Sequence, residues 1–257
     1  IAGKGTRMYP YTKIIDKSML PVLSSGKVYP ALYLIIRELY YSRQLETINL
    51  IVNESQYETI KKLDNLLHSE GMSIRLECTK QTGKGFGGAI SSSEFLYEPG
   101  FSMVCLGDYI YKSSKIGNCT KQLVDFWEKN NKSVVGIKSI LITETEKFGV
   151  VFGDWITDNI IRISKIVEKP EPEYARQNLM MEHNGEKCVF AFFGQYIIDN
   201  DILRIMSMSG DEEIGFSEFL NEYAQRQDMY AMVVDGESFD LGNPKDYYSS
   251  FIEYGKE

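Results

Sequence analysis

Short apolar runs alternate along this chain with segments whose apolar positions recur every three or four residues. After Pro30, suited to a first helical turn, Leu32, Ile35, Ile36 and Leu39 follow helical spacing. Residues 47–52 form a β-branched run that predicts a strand. The pattern then predicts a helix over 54–69, a strand over 73–78, a helix over 89–97, a strand over 101–106 and a helix over 115–130. From residue 133 strands dominate, at 134–141, 148–152, 160–167 and 189–198. Helices follow over 200–207 and 212–226, then a strand over 229–234. Asn243 and Pro244 supply the cap and first turn of a terminal helix. Ile1-Ala2 reads as the end of a first strand. Strands alternating with helices predict one α/β domain, 1–257, with a mainly parallel central mixed sheet flanked by helices and a strand-rich elaboration in its second half, 133–257. Ligands of such sheets bind at the carboxyl ends of the strands.

Composition narrows this picture. With 43% hydrophobic and 25% charged residues, the chain has the makings of a packed core rather than of a disordered or fibrous protein. A net charge of −8 argues against nucleic-acid and anionic-membrane partners unless basic residues are segregated. They are segregated in residues 1–27, where Lys4, Arg7, Lys13, Lys17 and Lys27 face the single acid Asp16. Cys78, Cys105, Cys119 and Cys188 form no C-x-x-C pair, and only His68 and His183 are available to join them, which argues against zinc and for reduced thiols in the cytoplasm. No apolar stretch approaches the ~20 residues of a membrane span. The basic head lacks the apolar core and small-residue cleavage site of a secretory leader.

The chemistry starts at Gly3-Lys4-Gly5-Thr6-Arg7, where glycines let backbone N–H groups approach an anion. The dinucleotide pattern G-x-G-x-x-G fails because Met8 replaces the third glycine, and no G-x-x-x-x-G-K-[ST] occurs. Arg7, Lys13 and Lys17 bring more positive charge than a monophosphate requires and suit a triphosphate.

The run Gly3-x-Gly5-Thr6-Arg7-Met8-x-Pro10-x-Thr12-Lys13-x-x-x-Lys17-x-Met19-Leu20-Pro21 resembles the signature of sugar-1-phosphate nucleotidyltransferases, most closely the bacterial UTP:glucose-1-phosphate uridylyltransferase branch. Gln81 with Lys84-Gly85-Phe86-Gly87-Gly88-Ala89, Leu106-Gly107-Asp108, Phe148-Gly149-Val150-Val151, Val167-Glu168-Lys169-Pro170 and Asp240-Leu241-Gly242-Asn243 continue the resemblance in order over nearly the whole chain.

The resemblance implies a Rossmann-like nucleotidyltransferase fold, its first half, 1–132, binding nucleotide and its second half binding sugar. It implies UTP and glucose 1-phosphate as substrates, Mg²⁺ as cofactor, and a homodimer or homotetramer. Arg7, Lys17 and Lys169 are then the catalytic cations. Ala2, Gly3, Gly5, Thr6, Lys13, Gln81, Gly85 and Gly87 meet the nucleotide, Gly149 and Glu168 the sugar, and Asp108 and Asp240 the metal. Two carboxylates with phosphate and water in the remaining positions suit Mg²⁺.

The sequence departs from the branch at Asp16, usually proline, at Ser18, usually glutamate, and at Gly88, where histidine is common. Residues 213–218 follow only loosely its E-I-Q-L-T-D pattern. Two alternatives stay open: a thymidylyltransferase using dTTP, and a regulatory homologue of weak turnover that binds a nucleotide sugar.

Overall fold

The computed structural model describes the chain apart from Ala2, Lys4, Gln44, Lys84, residues 209–214 and Glu257. The chain forms two compact units, one of Ile1–Gly85, Cys105–Lys121 and Gly236–Glu257, the other of Phe86–Val104 and Gln122–Asp235.

The first unit opens with three single 3-10 turns, Thr6–Met8, Tyr11–Lys13 and Lys17–Met19. The hairpin that follows, Pro21–Ser24 with Lys27–Pro30, lies within what the charge pattern presents as a basic loop. Its two-residue turn puts Ser25 at φ 49° and Gly26 at φ 72°, the pair of positive values that matches the twist of hairpin strands. Pro30 ends this strand rather than opening the helix, which runs Ala31–Arg43 and buries Leu32, Ile35, Ile36 and Leu39. Strands Thr47–Val52 and Arg75–Lys80 pair in parallel, joined through helix Tyr57–Ser69, whose Ile60, Leu63 and Leu67 are buried. Each fully buried side chain of this kind contributes roughly 1.5–3 kcal/mol relative to exposure.

The Ile1 nitrogen donates to the Ile51 carbonyl at 3.1 Å. On its other side a Cβ at Gly107 would stand 2.1 Å from the Ile1 side chain, so only glycine fits at 107. Strand Tyr109–Lys112 pairs antiparallel with Glu237–Asp240, and helix Pro244–Gly255 follows.

The second unit holds a seven-stranded sheet in the order Met181–His183, Glu186–Asp199, Val134–Ile140, Tyr230–Val233, Ile160–Glu168, Gly149–Thr157, with Phe101–Cys105 also paired to Glu186–Asp199. Tyr230–Val233 runs parallel to Val134–Ile140, while hairpin pairs such as Gly149–Thr157 with Ile160–Glu168 are antiparallel. The α/β class stands, and the strand-rich second half lies in this sheet. Strand direction is more antiparallel than a simple β-α alternation suggests, because short connections between consecutive strands build hairpins. Phe190, Phe193 and Ile137 lie at its fully buried centre.

The helix expected over 89–97 instead runs Gly85–Ser91 and is followed by a separate 3-10 turn, Glu94–Tyr97. Ser91 and Ser92 turn their hydroxyls back onto the Gly87 and Gly88 carbonyls, each at 2.8 Å, a local competition that favours ending a helix. The described part of the helix expected over 212–226 runs Phe216–Ala224, and 212–214 lie outside the described residues. All four cysteines are free, and burial lifts the Cys105 thiol to about 12. Among the described residues no helix is long and apolar enough to cross a membrane.

Candidate active site

Gly5 sits at φ 60° and ψ 28°, a left-handed position that starts the turn Thr6–Met8. Thr12 clamps it: its hydroxyl donates to the Gly5 carbonyl at 2.7 Å, and a Cβ on Gly5 would come within 3.1 Å of the Thr12 methyl. Buried Met8 anchors the far end of the turn, leaving Thr6 and Arg7 exposed. A Cβ on Gly3 would meet nothing within 4 Å, so packing within the protein does not dictate glycine there. Lys13 is exposed, its ammonium 5.2 Å from the Tyr9 ring centre. Ala2 lies outside the described residues.

Lys17, Asp108 and Asp240 come together. The Lys17 ammonium is bonded to the Asp108 carboxylate, with 13% of the lysine and 28% of the aspartate side chain exposed. Asp240 pairs in register with Tyr109, and Leu241 N–H donates to the Asp108 carbonyl at 2.9 Å. The sequence places both aspartates at the ends of the apolar runs 101–106 and 229–234. The structure instead joins them through a further pair of four-residue strands, too short to register as runs of their own. Burial holds the Asp240 carboxyl above the usual carboxylate range, and the Asp108 charge pushes it the same way. The Gly242 N–H, 2.5 Å from Asp240 Oδ1, and the Lys17 charge pull it back. Asn243 caps the terminal helix by accepting from Asp246 N–H at 3.0 Å, so Asp240 has no capping duty.

This donor set fits a hard divalent cation. It offers two carboxylates whose mutual repulsion is only partly offset by one lysine. Among the described residues no group of three or more His, Cys, Asp or Glu side chains is arranged to hold a metal. Mg²⁺, which keeps several positions for water and phosphate, makes no such demand.

Gln81 begins the next loop, its N–H bonded to the Val52 carbonyl at 3.0 Å. Its side-chain amide donates to the carbonyls of Gly83 at 2.8 Å and Gly85 at 3.0 Å, closing the loop on itself. Gly85 has φ 65°. A Cβ on Gly87 would lie 2.9 Å from the flexible end of Met206, a packing role within the second unit.

The second unit assembles Gly149, Glu168 and Lys169. Gly149 is the register partner of Glu168. Lys169 adopts φ 46°, a costly conformation for a residue with a side chain, immediately before Pro170. Its N–H donates to the Phe148 carbonyl at 3.0 Å, and the Thr145 hydroxyl donates to the Pro170 carbonyl at 2.8 Å, fixing the segment. Glu168 Oε1 faces the Lys169 ammonium at 3.1 Å, and Oε2 accepts from the Ser217 hydroxyl at 2.6 Å. Sequence reasoning does not single out Ser217, which sits in the loosely matched 213–218 segment, nor Phe192, whose ring would lie 2.7 Å from a Cβ on Gly149.

A family model described as Nucleotidyl transferase matches residues 1–257. The UTP–glucose-1-phosphate uridylyltransferase 2 of Staphylococcus saprophyticus is 26% identical over 276 residues, covering 98% of this chain and 89% of that protein. A solved UDP-glucose pyrophosphorylase complexed with UDP-glucose superposes with TM-score 0.80 at 25% identity, covering 98% of this chain and 95% of the other. A Bacillus anthracis protein assigned as a glucose-1-phosphate thymidylyltransferase shares the fold, with TM-score 0.77 at 20% identity, covering 100% of this chain and 93% of the other. Since the family match leaves neither unit outside it, the chain belongs to the nucleotidyl transferase family.

Proposed function

We propose that this nucleotidyl transferase makes UDP-glucose and pyrophosphate from UTP and glucose 1-phosphate. The observation that carries this reading is the meeting of Lys17, Asp108 and Asp240 at adjacent strand ends. Similarity to uridylyltransferases along nearly the whole chain supports the choice of substrates.

A phosphate oxygen of glucose 1-phosphate attacks the α-phosphorus of UTP. The bond to the β-phosphate breaks, and its electron pair leaves on pyrophosphate. Such a displacement rests on positioning and charge neutralisation and needs no protein nucleophile. The backbone at Gly3 and Gly5, with Thr6, cradles the triphosphate. Arg7 and Lys17 hold the β- and γ-phosphates and offset the charge growing on the leaving group, with Lys13 in support. Lys17 gives up Asp108 to do so. Asp108 and Asp240 hold Mg²⁺, which supplies charge neutralisation at the reacting phosphates when bound. Lys169 neutralises the sugar phosphate. Gln81 reads the base, with Gly85 and Gly87 leaving the backbone of that segment open to close approach.

The test is pyrophosphate release from UTP and glucose 1-phosphate, with and without EDTA. Release that depends on both substrates and stops with EDTA is expected. A protein that binds UDP-glucose yet releases no pyrophosphate with any nucleotide would be a binding homologue instead.

A further inference from the structure

Three polar residues of helix Phe216–Ala224 and its cap, Ser217, Asn221 and Gln225, recur every fourth position along one helix face. Each bonds an alternate residue of strand Ile160–Glu168, running the opposite way. The Gln225 amide donates to the Ser164 carbonyl at 2.6 Å, Asn221 Oδ1 accepts from Ile166 N–H at 2.8 Å, and the Ser217 hydroxyl donates to Glu168 Oε2 at 2.6 Å. The two repeats match, since four helical residues advance about 6 Å and two strand residues about 6.6 Å. The neighbouring strand Tyr230–Val233 pairs in register as far as Arg162, Ile163 N–H donates to the Met229 carbonyl at 2.9 Å, and the polar helix face closes the edge beyond them.

The third contact differs in kind from the other two. Gln225 and Asn221 satisfy backbone groups that would otherwise lose their partners, which is a structural duty. Ser217 instead bonds a carboxylate whose side chain is 38% exposed and within reach of water. The serine itself is only 8% exposed, and a Cβ on Gly149 would come 2.8 Å from its oxygen, so the register partner of Glu168 must be small. A buried hydroxyl spent on an exposed carboxylate orients that carboxylate.

We propose that Ser217 is a positioning residue for sugar recognition, fixing Glu168 Oε2 so that Oε1 is presented to the sugar hydroxyls. Oε1 is the atom paired with Lys169 in the free protein, so sugar arrival at Oε1 releases Lys169 toward the sugar phosphate. This rests on the reading of Glu168 as a sugar ligand.

The test compares Ser217→Ala, Ser217→Thr, Asn221→Ala and Glu168→Gln in steady-state assays with UTP and glucose 1-phosphate, alongside melting temperatures. Ser217→Ala is expected to raise KM for the sugar phosphate about tenfold with KM for UTP unchanged, and Ser217→Thr to restore it. Asn221→Ala, which removes a backbone contact, should lower the melting temperature without that selectivity. An unchanged sugar KM in Ser217→Ala, or both KM values rising in step with lost stability, would overturn the proposal. If Glu168→Gln also leaves the sugar KM unchanged, the underlying reading of Glu168 falls with it. If Glu168→Gln raises that KM and Ser217→Ala does not, only the role of Ser217 fails.

Discussion

The Lys17 ammonium is bonded to the Asp108 carboxylate, and the pair is withdrawn from solvent far enough to count energetically. Replacing Lys17 with Met leaves Asp108 and Asp240 facing each other without that cation. Lys17→Met should cost about 1–3 kcal/mol of stability in the absence of divalent cation, on the scale of a partly buried pair that loses one member. Added Mg²⁺ should raise its melting temperature by more than it raises that of the native protein. Identical Mg²⁺ responses in a thermal melt would show that the lysine does not share the metal's place.

Asp108→Asn and Asp240→Asn should each lower turnover at least ~100-fold, about 3 kcal/mol of transition-state stabilisation. Their stabilities should diverge. Asp240→Asn removes the charge that burial and Asp108 disfavour, so it should melt at or above the native temperature. Asp108→Asn loses the bond to Lys17 and should melt lower. Turnover assays beside thermal melts check both signs, and undiminished turnover in either variant would remove that residue from the metal site.

Gln81 spends its amide hydrogens on Gly83 and Gly85, so in the proposed base-reading role its oxygen is the group left to meet a base. Uracil presents a donor at N3, whereas cytosine and the adenine ring present acceptors there. Gln81→Ala should therefore raise KM for UTP about tenfold, on the scale of one hydrogen bond, and leave KM for glucose 1-phosphate nearly unchanged. Tighter binding of ATP or CTP than of UTP by the native protein would contradict this.

Glu38 accepts N–H bonds from Gly117 at 2.7 Å and Thr120 at 3.1 Å, capping helix Asn118–Asn130. Burial nevertheless holds its carboxyl above the usual value, against the pull of those N–H groups. The folded state then binds a proton more readily than the unfolded chain. This contribution to stability is full below the ordinary carboxylate value and is lost as pH rises through the raised one. Urea midpoints from about pH 4 to pH 8 should fall less steeply in Glu38→Gln than in the native protein. Parallel profiles would count against it.

Elements with a strong local period are legible in the sequence. Ile60, Leu63 and Leu67 mark helix Tyr57–Ser69, and the β-branched run 47–52 coincides with strand Thr47–Val52. The strands Tyr109–Lys112 and Glu237–Asp240 are not, because four residues carry too little pattern and each depends on a partner more than a hundred positions away. The hairpin Pro21–Ser24 with Lys27–Pro30 is hidden by its Ser-Gly turn, a weaker signal than Asn-Gly. Asp108 and Asp240 stand out through the resemblance, but their closeness comes from those short strands. Ser217 is illegible for another reason. Nothing local marks a serine whose partner, Glu168, lies 49 positions earlier.

On the proposed reading, UTP and dTTP would present the same N3–H to Gln81, and every hexose 1-phosphate the same phosphate to Lys169, so neither residue alone would fix the substrates. The decisive measurement is kcat/KM for pyrophosphate release across UTP, dTTP, CTP and ATP, each paired with glucose, galactose and N-acetylglucosamine 1-phosphates. UTP with glucose 1-phosphate should exceed every other pair by at least about tenfold, the discrimination expected from one or two polar contacts. A higher value for dTTP or for another sugar, or no pyrophosphate from any pair, would contradict the account.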